Sequence, residues 1–279
     1  SRTIPLKAIE SALGEALGGK EVASALKSYG YTVKSAGQKV AVQLPPYRND
    51  LLHTVDVVED VAISQGYARF APVMPSQFTV GGLSRLEQMA DRVRHLMVGL
   101  EFQEIISNIM GSHQDFCTRM RLDGTEWAKV VEVDNVMSLS YSCLRQWITP
   151  SLLQVETNSS RAFYPHRMFE VGEVAIPDAS ADVGSRTVTM LGAVIAHAGA
   201  HFSEIHSCLD LLLYYLDRPF TLEPVDHPSF LDGRAGKIVS NGRVIGLLGE
   251  LHPEVLEHWQ IGVPAVALEV EIDRLLEEV

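Results

Sequence analysis

Cysteine is scarce in this chain: Cys117, Cys143 and Cys208 are the only three among 279 residues. Odd in number and widely spaced, they exclude a disulfide framework, show no zinc-ligand spacing, and fit reduced thiols in a cytoplasmic protein. No uninterrupted apolar run reaches the roughly 18 residues that a bilayer-spanning helix requires. The first residues, SRTIPLKAIE, lack the apolar segment of a signal peptide and an initiator Met, so the expectation is a non-exported piece of a longer chain. Positive charge is also in short supply, with 23 Lys/Arg against 35 Asp/Glu and a net charge of −12. The deficit is uneven: residues 1–70 hold eight basic and seven acidic side chains, and the remainder holds 15 and 28. Because nucleic-acid affinity depends on neutralising phosphates with Lys and Arg, the second part is a poor broad RNA-binding face, and any nucleic-acid contact is local or supplied by a partner.

What is present describes an ordered protein, with 46% hydrophobic and 21% charged residues. Residues 1–70 read as a small α+β module. Ile9, Leu13 and Leu17 recur at helical intervals, and a second short helix is expected over Glu21–Tyr29. Two strands, Tyr31–Val33 and Lys39–Leu44, follow around Ser35-Ala36-Gly37-Gln38, and Pro45-Pro46 ends the second. Two helices, a hairpin and a further helix predict a winged-helix-like arrangement. Without a basic recognition helix, a scaffold role is favoured over DNA binding.

Residues 71–79 (APVMPSQFT) carry two prolines and no period, and are taken as a linker to a second domain over 80–279. That domain opens with an amphipathic helix, Ser84–Gly99, whose apolar stripe is Leu86, Met89, Ala90, Val93, Leu96 and Met97. A strand is expected over Glu101–Met110. Further strands are expected at Val130–Val133, Arg167–Val174, Val188–Ala196, Arg243–Leu251 and Ala265–Ile272, with helices at Ser203–Leu216 and Pro253–His258. Alternation of Val266, Leu268, Val270 and Ile272 predicts a sheet with one buried face. Strands with interspersed helices and no regular βαβ order favour an antiparallel α+β sheet.

The densest chemistry lies in YRNDLLHTVDVVEDVAISQGY, Tyr47–Tyr67. Thr54 is read as the N-cap and Gly66 as the stop of a helix on which Asp56, Glu59 and Asp60 share a face opposite Val57, Val58, Val61 and Ala62. Asp50 precedes them and folds back over the first turn. Convergent carboxylates of this kind suit a hydrated Mg2+; acids in a first helical turn also simply favour the positive end of the macrodipole. Elsewhere, His227, Phe230, Arg234 and His252 suggest acid–base chemistry less than they mark His-Pro element boundaries. His197 and His201, four apart, are separated by Gly199 and do not promise a helical metal site.

The Tyr-Arg-x-Asp turn, the Asp six residues on, the acidic pair after it and the Gly-Tyr stop together resemble the β subunit of phenylalanyl-tRNA synthetases in its archaeal and eukaryotic form. The segments SYSCLRQWITPSLLQV, YPHRMFEVGEV, HPSFLDGRAGKI and GLLGELHPEVLEHWQI, in that order, extend the resemblance along the chain, with Trp147, Ile148 and Thr149 departing from the usual sequence. The resemblance implies a class II aminoacyl-tRNA synthetase-like antiparallel sheet flanked by helices, with the first motif dimer-forming and the catalytic machinery lost. It implies Mg2+ shared with an α subunit through Asp50, Asp56, Glu59 and Asp60, ATP and phenylalanine bound by α, and an α2β2 assembly acting on tRNA(Phe). Position 60 carries Asp where Glu is frequent. The loss of catalysis also has chemical grounds. An active class II site needs arginines on the triphosphate and a Gly-rich strand-to-helix turn that admits ATP. Here Arg167 and Glu170 are spaced by three, and no glycine precedes Asp273-Arg274 in LEVEIDRLL. The Ser84–Met110 stretch is expected to expose an apolar surface through which the isolated chain forms a homodimer. The alternative is a stand-alone, non-catalytic paralogue acting as an interaction protein.

Overall fold

The computed structural model describes residues 2–159 and 161–276, which fall into two units, one ending at Val80 and the other beginning at Gly81. In the first, β1 (Arg2–Pro5) leads into α1 (Leu6–Leu13) and α2 (Gly19–Ser28). The hairpin β2 (Thr32–Ala36) and β3 (Lys39–Gln43) follows, then α3 (Thr54–Gln65). The sheet order is β1-β3-β2, antiparallel throughout. β1 escaped the sequence reading because it is four residues long and only Ile4 is buried in it. Ile4, Ile9, Leu26, Val40 and Val57 are among the residues that close the core of this unit.

In α3 the N-cap is His53, not Thr54: its Nδ1 accepts from Val55 N–H, and the Asp56 carboxylate accepts from His53 N–H at 2.6 Å. Gly66 ends the helix as expected, at φ +78°, a value that glycine adopts without Cβ strain. Val57, Val58, Val61 and Ala62 face the core, and Asp60 is buried with them at the edge of that face.

The second unit begins with α4 (Arg85–Gly99), capped by Ser84 Oγ accepting from Glu87 N–H at 3.1 Å. Short elements follow: β4 (Gln103–Glu104), β5 (Met110–Gly111), α5 (His113–Phe116), β6 (Val131–Glu132) and β7 (Cys143–Leu144). Then come α6 (Thr149–Asn158), β8 (His166–Pro177), β9 (Ser185–Ala196) and α7 (Phe202–Tyr215). The chain ends with β10 (Thr221–Pro224), β11 (Phe230–Ser240), β12 (Arg243–Leu251), α8 (Pro253–His258), β13 (Ala265–Glu271) and α9 (Ile272–Leu275).

Seven strands form one sheet in the order β10-β11-β12-β13-β9-β8-β4, antiparallel except for the parallel edge pair β4–β8. The single strand expected over Glu101–Met110 does not form. The chain leaves β8 after Ile105 N–H bonds Phe169 C=O, and Ile109 C=O is taken by Arg145 N–H in a separate three-stranded sheet, β5-β7-β6. The expectation of one buried face on β13 also needs correction. Val266, Leu268 and Val270 pack under α4, α7 and α9, whereas Ala265 and Ala267 pack into a second core on the opposite face with Trp147, Ile148 and Leu152. β13 is central and covered on both sides.

Candidate functional site

Two places carry the residues singled out by sequence. On the large sheet and beside it the main features are arginines paired with carboxylates and one buried carboxylate, Glu269. Arg145, 1% exposed, sends Nη2 to Glu170 Oε1 at 2.7 Å, Nη1 to Ser107 Oγ at 2.8 Å, and Nε to Glu173 C=O at 2.9 Å. Arg167 pairs with Glu204 at 2.6 Å, and Glu204 also holds His197 Nε2 at 2.8 Å. Arg186 and Arg274 both reach Glu271. A guanidinium already matched to a carboxylate in a low-dielectric site is poorly placed to clamp phosphates.

Glu269 is the residue that sequence reasoning missed. It is 1% exposed, and its Oε1 accepts from Ile148 N–H (2.9 Å), Thr149 N–H (2.5 Å) and Thr149 Oγ1–H (2.6 Å), which fastens the start of α6 to β13. Among the described residues Oε2 has no hydrogen-bond partner. Burial pushes the carboxyl up to about 7, against the pull of the Thr149 and Ile148 donors and of Arg145. Beside it, a Cβ on Gly192 would stand 2.5 Å from Ile148 Cβ, so Ile148 is packed onto bare backbone. The signal was available: period two places Glu269 and Glu271 on the face opposite Val266, and a charge inside an apolar strand needs partners.

The histidines are structural. His227 is buried among Trp127, Trp147 and Phe230, with ring centroids 4.4, 5.5 and 5.1 Å away. Burial lowers it to about 4, which keeps it neutral, and its Nδ1 accepts from Ser229 N–H. His252 caps α8 through Glu254 N–H. Arg234 is exposed and 3.9 Å from Glu250. His201 precedes α7 and binds Gly199 C=O, so it does not face His197 across a helical turn.

The second place is the acidic stretch of the first unit. Asp50 and Asp60 come together, but around Arg48: Nη2–Asp50 Oδ2 is 2.5 Å and Nη1–Asp60 Oδ2 is 2.7 Å. Tyr31 O–H donates to Asp60 Oδ2 at 2.5 Å. Burial, then the bond to Asp60, raise the Tyr31 hydroxyl well above its ordinary value. The Arg48 hydrogen bonds hold Asp50 below the usual carboxylate range, and the His53 N–H does the same for Asp56. Glu59 is exposed. Among the described residues no group of three or more His, Cys, Asp or Glu is placed to hold a metal ion. As they stand, the four acids do not fit the magnesium that the resemblance implies.

The second unit thus has the sheet of a class II tRNA synthetase fold. A solved pyrrolysyl tRNA synthetase, PylSc of Desulfitobacterium hafniense, matches the chain with a TM-score of 0.58 at 18% identity, covering 80% of this chain and 77% of that one. The family model described as the phenylalanyl tRNA synthetase beta chain CLM domain matches residues 71–272, and the tRNA synthetase B5 domain matches residues 2–67. This chain belongs to the phenylalanyl tRNA synthetase beta chain family. A phenylalanine–tRNA ligase beta subunit of Treponema pallidum is 36% identical over 275 residues, 99% of this chain and 45% of its own length. One from Borreliella burgdorferi is 39% identical over 268 residues, 96% of this chain and 47% of its own length. The chain spans about half the length of these curated relatives. Among the described residues no helix is long and apolar enough to cross a membrane.

Proposed function

We propose that this chain acts as part of the β subunit of a cytoplasmic phenylalanine–tRNA ligase, which joins phenylalanine to tRNA(Phe) at the expense of ATP. In this reading an α subunit binds ATP and phenylalanine and performs the chemistry within an α2β2 assembly. This chain contributes the subunit interface and support for the α active site, and neither forms adenylate nor transfers it alone. The observation that carries the non-catalytic role is the sealed sheet face: Glu269 holds α6 over β13 while Arg145 and Arg167 are spent on Glu170 and Glu204.

The first unit, with the order β1-α1-α2-β2-β3-α3, serves in this reading as a winged-helix-like scaffold. Magnesium ligation by Asp50, Asp56, Glu59 and Asp60 is carried only as a property to be sought in the α/β assembly, since those acids do not fit the ion here. The test is co-purification of this chain with a cognate α subunit. A stable complex supports the reading. A folded chain that forms no complex favours the stand-alone paralogue.

A further inference from the structure

The misfit between the acidic cluster and a magnesium ion has a structural content of its own. Asp50 commits both carboxylate oxygens to Arg48, with Nε 3.0 Å from Oδ1 and Nη2 2.5 Å from Oδ2, a bidentate fork. The third guanidinium nitrogen, Nη1, reaches Asp60, whose side chain is 9% exposed and whose Oδ2 also accepts the Tyr31 phenol. Asp56 is engaged elsewhere, its Oδ2 accepting from Leu52 N–H at 2.7 Å and His53 N–H at 2.6 Å. A Mg2+ ion held directly by two of these carboxylates would need their oxygens turned toward one point at about 2.1 Å, in place of the Arg48 fork. A guanidinium is charged at every accessible pH and planar, so it satisfies two carboxylates at once without dehydrating an ion.

We propose that Arg48 is the resident cation of this cluster, and that Arg48, Asp50, Asp60 and Tyr31 form a latch instead of a divalent-metal site in the chain by itself. Three segments meet in it: Arg48 and Asp50 in the connection between β3 and α3, Asp60 in α3, and Tyr31 just before β2. The Arg48 guanidinium carbon also lies 5.4 Å from the Tyr31 ring centroid, a cation–π contact that no divalent ion would replace in kind. The latch therefore sets where the β3–α3 connection sits on the module. A lysine at position 48 would keep the charge but lose the fork.

The experiment is hydrogen exchange and thermal unfolding of the full chain, in EDTA and in excess MgCl2. Wild type, Arg48→Lys, Arg48→Met, Asp60→Asn and the Arg48→Met/Asp60→Asn double variant are compared. Anything that binds the native state alone raises its unfolding midpoint with concentration. The latch predicts no dependence on Mg2+ or EDTA, and faster exchange over residues 45–62 in Arg48→Met and in Asp60→Asn. The double variant should lose less than the sum of the singles, and Arg48→Lys should restore only part of the protection. A saturable rise in midpoint with Mg2+ that disappears in an Asp56→Asn/Glu59→Gln variant overturns the proposal. Unchanged exchange in Arg48→Met overturns it as well. No partner subunit is needed, so failure of the ligase reading would show separately, in the co-purification.

Discussion

Glu269 and Thr149, 120 positions apart in sequence, meet through two hydrogen bonds to one carboxylate oxygen, 2.5 Å from the Thr149 amide and 2.6 Å from its hydroxyl. The contact closes the sheet face opposite α4, α7 and α9. It joins the departure Trp147-Ile148-Thr149 to the glycine-free segment before Asp273-Arg274, two oddities of the sequence that turn out to be one feature.

The closure carries a pH signature. The folded-state carboxyl of Glu269 is raised to about 7, above its ordinary value near 4.5, so the native state holds a proton that the unfolded chain releases. Its stabilising contribution is complete below about pH 4.5 and is lost as pH rises through about 7, roughly 3 kcal/mol across the window. Glu269→Gln keeps the acceptor and places a donor where Oε2 lacks a partner. Urea unfolding of the second unit should then lose most of its decline between these pH values, and the variant should be the more stable protein at neutral pH.

Arg145 and Glu170 form a nearly dry pair, their side chains 1% and 5% exposed. Removing one partner strands the other, which costs about 3–5 kcal/mol for buried pairs. Glu170→Ala and Arg145→Met should each destabilise the second unit by that order in denaturant titration, and the double variant by much less than the sum.

Gly192→Ala tests the packing of Ile148. The added methyl has no room against Ile148 Cβ and Cγ2, and over-packing of this kind costs about 1–3 kcal/mol. Pairing it with Ile148→Gly, which removes the clashing Cβ as well as Cγ2, should recover much of the loss in a double-mutant cycle.

The expected apolar surface over Ser84–Met110 is smaller and lies elsewhere than the helix stripe suggested. Ala90, Val93 and Met97 are consumed in the core, and Leu86, Met89 and Leu96 are packed against it. Val98, Ile106 (92% exposed), Ile109 and Met110 remain, with Leu139 and Tyr141 also exposed. If the isolated chain self-associates through this edge, Ile106→Asp should shift it toward monomer in sedimentation velocity without changing its circular dichroism.

Much of this was legible because it is periodic. The bounds of β12 and α8 coincide with those read from Arg243–Leu251 and Pro253–His258, and the α4 stripe faces the core as its spacing requires. Segments lacking a period were not legible. β11 runs through FLDGRAGKIVS, where glycines and charges hide a strand whose register shifts between Phe230 and Ala235. In α6, Thr149, Pro150 and Ser151 are poor helix formers, and tertiary burial decides the outcome. At the acidic site, residue spacing located Asp56, Glu59 and Asp60 on a helix but did not show that Arg48 would reach Asp60. That contact depends on the path of the β3–α3 connection.

The most direct measurement is phenylalanine-dependent exchange of pyrophosphate into ATP, run on this chain alone and on the chain assembled with its α subunit. The account predicts no exchange above background for the chain alone and exchange in the assembled material. Exchange by the chain without α, lost on substitution of its own arginines, would contradict it.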